Sequence, residues 1–241
     1  MNVKMIFYGK AGVSITLERF ITLYGDSYYL DKERYVPGVS QSSRYTEDEI
    51  DRLLREGIKC ELDVIHILAW KIGKIRHAES KSRFCYSKDW SNAESFRANR
   101  YGKEFDLKTI SQYIVKNIES LEDQAKSNPQ KVLNDLRDIN IKGLGSVYLV
   151  TLLYFISRNT FPIYDRFAKM AIDAIETGLK PGSSVCYCEL PTKDSKEFGH
   201  IMDDYIYPYQ KKLETQFGDK YREGRDVDRA LWVYGHMFRR G

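Results

Sequence analysis

Between Leu62 and Ile75 the apolar residues Leu62, Ile65, Leu68, Ala69, Ile72 and Ile75 recur at steps of three and four. That is the period of a helix with one buried face, so the spacing predicts a central helix over this stretch. Ser146 to Ser157 (SVYLVTLLYFIS) is apolar almost all round, the mark of a helix enclosed by protein. Pro129 suits the first turn of a helix running to about Asp138, and another extends from Phe105 or Asp106 through Ile118. Ile163 to Thr177 reads as a further helix, closed by Gly178.

The polar positions punctuate this series. Thr46-Glu-Asp-Glu49 has the form of a capping box, with Tyr45 placed to staple onto Ile50, and predicts a helix to about Gly57. Upstream, Ser14 to Leu23 fits a short helix, whereas the tyrosine-rich, Pro-Gly-punctuated segment up to Tyr45 has no assignable period. Lys180 to Lys196 reads as a loop. The last two helices span about Glu197 to Gln216, interrupted near Pro208, and Asp226 to Phe238, with Asp226 as N-cap. No tandem repeat interrupts the series, and the fold class it predicts is all-α.

At 241 residues, 42% apolar and 30% charged, the chain can bury one large core or form two lobes, and it is too apolar for wholesale disorder. The longest apolar run, Val147 to Ile156, is about half of what a bilayer requires, so no membrane partner is expected. The N-terminus lacks a secretory signal, which predicts a cytoplasmic protein with reduced cysteines. Cys60, Cys85, Cys186 and Cys188 match no zinc or cluster spacing, and the Cys186/Cys188 pair offers a metal only two ligands. Neither a metal nor a cofactor is expected. The four histidines are scattered, without ligand spacing or a nucleophile partner.

Charge changes the picture through its position. From His66 to Lys103 nine cations stand against Glu79, Asp89 and Glu94, a local surplus that exceeds the +4 of the whole chain. A polyanion would be drawn to that region. Lys71, Lys74 and Lys81 fall near one helical face and suit phosphate contacts, as do Arg97 and Arg100 beside Trp90 and Tyr101, although a solvated face accounts for the same cluster.

The chemistry concentrates in LRDINIKGLGSVYLVTLLYFISRNTFPIYDRFAKMAI. A helix stops, Gly143 and Gly145 appear one residue apart, and an apolar helix begins at once. Two glycines permit unusual backbone conformations and let a phosphate approach the amides of the helix start, with Leu144 anchoring the turn inward. An ordinary interhelical turn would look the same. Eighteen residues past Val147 lies Asp165, at the turn that brings the chain back beside the hairpin helix.

These residues resemble the helix-hairpin-helix DNA glycosylase superfamily. Ile141-Lys-Gly-Leu-Gly145 matches its hairpin, Leu149 to Phe155 its buried helix, and FPIYD its aspartate loop, close to the FPI-x-D of the adenine-excising branch. The likeness covers about forty residues closely and leaves the first forty-five and the final helices without support. It implies that Asp165 is the catalytic carboxylate and that Lys142, Gly143, Leu144, Gly145, Ser146 and Val147 grip double-stranded DNA. Members with lyase activity carry a lysine two residues after the second hairpin glycine. Here that residue is Val147, and the iron-sulfur cysteines of several members are missing too, so the likeness implies a monofunctional enzyme.

A fixed anion beneath the deoxyribose would stabilise the positive charge that develops as the base departs, and Asp165 suits that role. It is equally a good N-cap for the helix that follows. Arg166 beside it is placed for a phosphate contact or an ion pair. Excision from a duplex also needs a flipped nucleotide, with aromatic side chains to receive the base or fill the gap. Trp70 and Tyr164 are candidates, with Trp70 and Trp232 also readable as core.

The expected architecture is two-lobed: an N-terminal segment, residues 1–59, packing with the C-terminal lobe; a helical domain, 60–158, carrying the hairpin; and a C-terminal lobe, 159–241, carrying the aspartate. The expected protein is a monomeric DNA base-excision glycosylase. A non-catalytic helix-hairpin-helix DNA-binding protein is the alternative. A helical protein–protein adaptor would lack any salt-dependent affinity for DNA.

Overall fold

In a computed structural model, residues 6–35, 43–78, 83–100, 103–186 and 189–241 are described. The chain opens with a short ribbon, β1 (Phe7–Tyr8) antiparallel to β2 (Ser14–Ile15). Then come α1 (Leu17–Tyr35), α2 (Ser43–Glu56) and α3 (Glu61–Lys71). α1 begins within the short helix read from the sequence and continues through part of the tyrosine-rich segment. α2 starts at Ser43, which puts Thr46 inside its first turn, buried, rather than at a cap.

α3 is shorter than its apolar period suggests. It ends at Lys71, Gly73 takes a positive φ of 68°, and the next residues form a hairpin of β3 (Ile75–Ala78) against β4 (Arg83–Tyr86). A second hairpin pairs β5 (Arg97–Arg100) with β6 (Lys103–Asp106). The basic stretch is therefore carried largely by two antiparallel ribbons. The chain is mostly helical, in keeping with the all-α expectation, and carries small strands that the expectation did not include. Ile75 ends the run because it is a buried strand residue whose position happens to continue the helical step. Lys81 and Tyr101 lie outside the described residues.

The helices that frame the hairpin are α4 (Lys108–Lys116), α5 (Ile118–Ser127), α6 (Pro129–Asp138) and α7 (Ser146–Ile156). Asn128 caps α6 by accepting from the Lys131 amide at 3.0 Å, and Pro129 occupies the first turn. Every residue of α7 from Leu149 to Ile156 is buried, as its all-round apolar sequence requires. α8 (Arg166–Thr177) follows, stopped by Gly178 at φ 65°.

Beyond the 180–196 connection, β7 (Ser184–Val185) pairs in parallel with β8 (Arg239–Arg240), so the two ends of the C-terminal third meet. Between them a π-helical turn, Met202–Ile206, leads into α9 (Tyr207–Phe217), where Pro208 sits in the first turn. α10 (Asp226–Gly235) completes the chain. Arg225, not Asp226, holds its cap position; the Asp226 carboxylate instead accepts from the Arg229 guanidinium at 3.1 Å.

α10 packs against α1 on one side and α8 on the other, while α3 packs on α4 and α7, and α6 on α7. Buried residues from all of these elements form one continuous apolar cluster. Gly235 of α10 packs directly on the α8 backbone: a Cβ there would meet the Phe167 carbonyl oxygen at 1.9 Å. None of the described helices is long and apolar enough to cross a membrane.

Candidate functional site

The turn between α6 and α7 is built as a hairpin. Asn140 and Gly143 take positive φ angles of 53° and 89°, and the Leu144 amide donates to the Ile141 carbonyl at 3.2 Å. Leu144 is buried and turned inward. Gly143 packs so tightly on Phe105 that a Cβ would meet its Cε1 at 1.9 Å. The 180–196 connection braces the turn from outside: Lys193 donates to the Ile141 carbonyl and to Asn140 Oδ1, each at 3.0 Å, and Ser146 Oγ donates to the Pro191 carbonyl. Lys142 and Val147 remain exposed, and the N-terminus of α7 at Gly145 has no side-chain cap. Ser146, by contrast, is buried, with its hydroxyl already committed.

Asp165 caps α8, its Oδ1 accepting from the Phe167 amide at 2.9 Å. Its Oδ2 faces Lys71 Nζ at 3.1 Å, with 9% of the Lys71 side chain and 19% of the Asp165 side chain exposed. Burial opposes ionisation, but the Lys71 ammonium, the Phe167 amide and His236 together hold the carboxyl below its usual range. Lys71, expected on a phosphate-tracking face, is thus a largely buried partner of the carboxylate. Lys74 has left the helix by this point.

Asp165 and Lys71 open into a cleft of about 210 Å³, lined also by Tyr28, Trp70, Trp232 and Asp228. Trp70 does not project as a wedge. It is buried, donates its indole N–H to Glu47 at 2.8 Å, and lies under the Arg225 guanidinium at 4.3 Å from its ring. Glu47 is wholly buried and also accepts from Tyr28 and Arg225, fixing the aromatic wall from behind. Tyr164 does not line this cleft; it is buried, edge-on to Tyr209 at 5.2 Å. Arg166 is exposed, its guanidinium over the Phe167 ring at 4.5 Å.

Ile72 links the two halves of the site. It borders the Asp165 cleft on one side and, on the other, a small cavity walled by Gly143, Leu144 and Tyr148. The hairpin and the carboxylate therefore flank the same end of α3.

Sequence reasoning missed the contribution of α10. Arg225, Asp228 and Trp232 recur at steps of three and four, the spacing of one helical face, and that face closes the cleft. His236 lies one turn further on, stacked on Phe167 and with Nδ1 2.7 Å from the Trp232 carbonyl. The signal was the i, i+3, i+7 spacing itself. Burial, with the charge of Asp165, pushes the Asp228 carboxyl above its ordinary value against the pull of Arg225 and Lys71.

No three His, Cys, Asp or Glu side chains converge as a metal site among the described residues. Cys60 and Cys186 are free and exposed, and Cys188 lies outside the described residues. Compared with family models, curated proteins and solved structures, the chain finds no significant match in any of the three.

Proposed function

We propose that this chain is a DNA base-excision glycosylase of the helix-hairpin-helix type, with Asp165 as its catalytic carboxylate. The observation that carries the reading is the position of Asp165: an anion fixed by two donors in an aromatic cleft that shares the wall residue Ile72 with a cavity formed by Gly143 and Leu144 of the hairpin. A carboxylate preorganised in this way stabilises positive charge on a sugar without rearranging as the base leaves. Trp70, Trp232 and Tyr28 offer flat surfaces for a base drawn out of the duplex. The uncapped start of α7, with Lys142 beside it, suits a backbone phosphate.

The test is release of free base from duplexes carrying uracil, alkylated purines, 8-oxoguanine or mismatched adenine, at low salt. The unaltered chain is expected to release base from at least one, and Asp165→Asn to lower that rate by about 10²–10³ or more. Since both Asp165 oxygens already have partners, a second reading is a helix-hairpin-helix protein that holds DNA without excision. Tight, salt-dependent binding with no base released from any duplex would favour it.

A further inference from the structure

Two carboxylates share the cleft, and they are supported unequally. Asp165 takes one donor on each oxygen. Asp228, in the first turn of α10, has only the Arg225 guanidinium at 3.5 Å, and Arg225 makes its close contact with Glu47 at 2.6 Å. Among the described residues, that long contact is the only donor near the Asp228 carboxylate. About a quarter of its side chain, 26%, is exposed, which leaves it open to the cleft.

The charges facing Asp228 are Arg225 and Arg229 of its own region, Lys71 from α3 and Asp165 from the start of α8. Tyr28 of α1 shares the cleft with it, while Tyr154 of α7, Tyr209 of α9 and Tyr221 border it from a second small cavity. Although a quarter of the Asp228 side chain reaches the cleft, the rest is enclosed, and that burial with the Asp165 anion favours the protonated acid against the pull of Arg225, Lys71 and Arg229. Asp165 is displaced the other way. One site thus holds two like groups pushed apart in proton affinity, the pattern by which one fold supplies an acid and an anion at the same pH.

We propose that Asp228 is a second catalytic residue of this site, the proton donor to the departing base, while Asp165 stays anionic beneath the sugar. The inference rests on the glycosylase reading. Asp228 passes its proton to a nitrogen or oxygen of the base as the bond from C1′ to the base nitrogen breaks and its electron pair leaves with the base. Water then adds to C1′, and the proton it loses returns to Asp228. Base and sugar each leave neutral, and the enzyme ends as it began.

The experiment measures single-turnover base release against pH for the unaltered chain and Asp228→Asn, together with the carboxyl titration of Asp228 by carbon-13 NMR in the full-length protein. The unaltered rate is expected to fall as pH rises through the Asp228 titration. Asp228→Asn should lose that alkaline limb and run about 10²–10⁴-fold slower below it, the range of a general acid. A duplex whose base is already cationic through N7-methylation needs no proton, so there the loss should largely vanish. An alkaline limb unchanged in Asp228→Asn, or an Asp228 that titrates at or below the ordinary carboxylate range, would overturn the acid role while leaving Asp165 in place. No base release from any duplex by the unaltered chain would overturn both. The NMR titration decides the matter even if the variant fails to fold.

Discussion

Lys71 Nζ and Asp165 Oδ2 lie 3.1 Å apart although 94 residues separate them in the chain. Each is mostly removed from solvent, so losing one partner strands the other. Lys71→Gln should destabilise the fold by about 2 kcal/mol at neutral pH, below the ~3–5 kcal/mol of a fully buried pair. The sign of the pH dependence follows from the depressed Asp165 carboxyl. Its contribution is complete above the ordinary carboxylate range and lost as pH falls through the lower folded value. The gap between the two proteins in urea unfolding should therefore be widest near neutrality and close on acidification. A gap that persists at low pH would mean that Lys71 acts through packing alone.

The two hairpin glycines should respond differently to substitution. Gly143→Ala forces a side chain onto a residue at φ 89° and into the Phe105 ring, while a Cβ at Gly145 meets nothing within 4 Å. The backbone term alone costs about 1–2 kcal/mol at Gly143. Gly145→Ala should stay within about 0.5 kcal/mol of the original in thermal unfolding. Trimming the obstacle, as in Gly143→Ala with Phe105→Leu, should restore part of the loss relative to Phe105→Leu alone.

The hairpin itself was legible in the sequence because its signals are local. Pro129 starts α6, Gly143 supplies the left-handed turn, and an unbroken apolar run makes α7, so each boundary is set by residues within a few positions of it. Asp165 was legible as a cap for the same reason. The ribbons between Ile75 and Asp106 were not, since four-residue strands rich in charge carry little period and Ile75 falls on the helical step. The partnership of Lys71 with Asp165 and the α10 wall of the cleft were beyond local reading. They exist only once α3, α8 and α10 have packed, and charge spacing along one helix does not say which distant carboxylate a lysine will meet.

Glu47 anchors the aromatic wall. It is wholly buried and accepts from Tyr28, Trp70 and Arg225, while Arg225 is itself 1% exposed. Glu47→Gln keeps the size but removes the charge that holds Arg225 in the interior. The expected cost is about 3–5 kcal/mol, read as a fall in the denaturant midpoint. Trp70→Phe removes the indole donor and part of the ring beneath Arg225 but leaves the Glu47 charge in place, and should cost less, about 1–3 kcal/mol. Equal losses from the two variants would show that Glu47 serves Trp70 rather than the arginine.

Gly235 controls how closely α10 approaches α8. A Cβ there would meet the Phe167 carbonyl oxygen at 1.9 Å, its carbonyl carbon at 2.4 Å and its Cα at 2.9 Å, all backbone atoms that cannot rotate aside. Gly235→Ala must therefore shift a helix rather than a side chain, at a cost on the order of 1–3 kcal/mol. The shift also falls on the residue whose amide donates to Asp165, so the damage extends to the carboxylate. Under the proposed glycosylase reading, base release should fall further than the lost stability explains, and at a temperature where the variant remains folded. Gly178→Ala is the control: that glycine has a positive φ, 65°, which strains a side chain there, but a Cβ meets nothing within 4 Å and the residue closes the far end of α8. It should lower the melting temperature while leaving the rate of the folded protein unchanged. If both variants lost rate in proportion to stability alone, the contact of α10 with α8 would be packing without influence on Asp165.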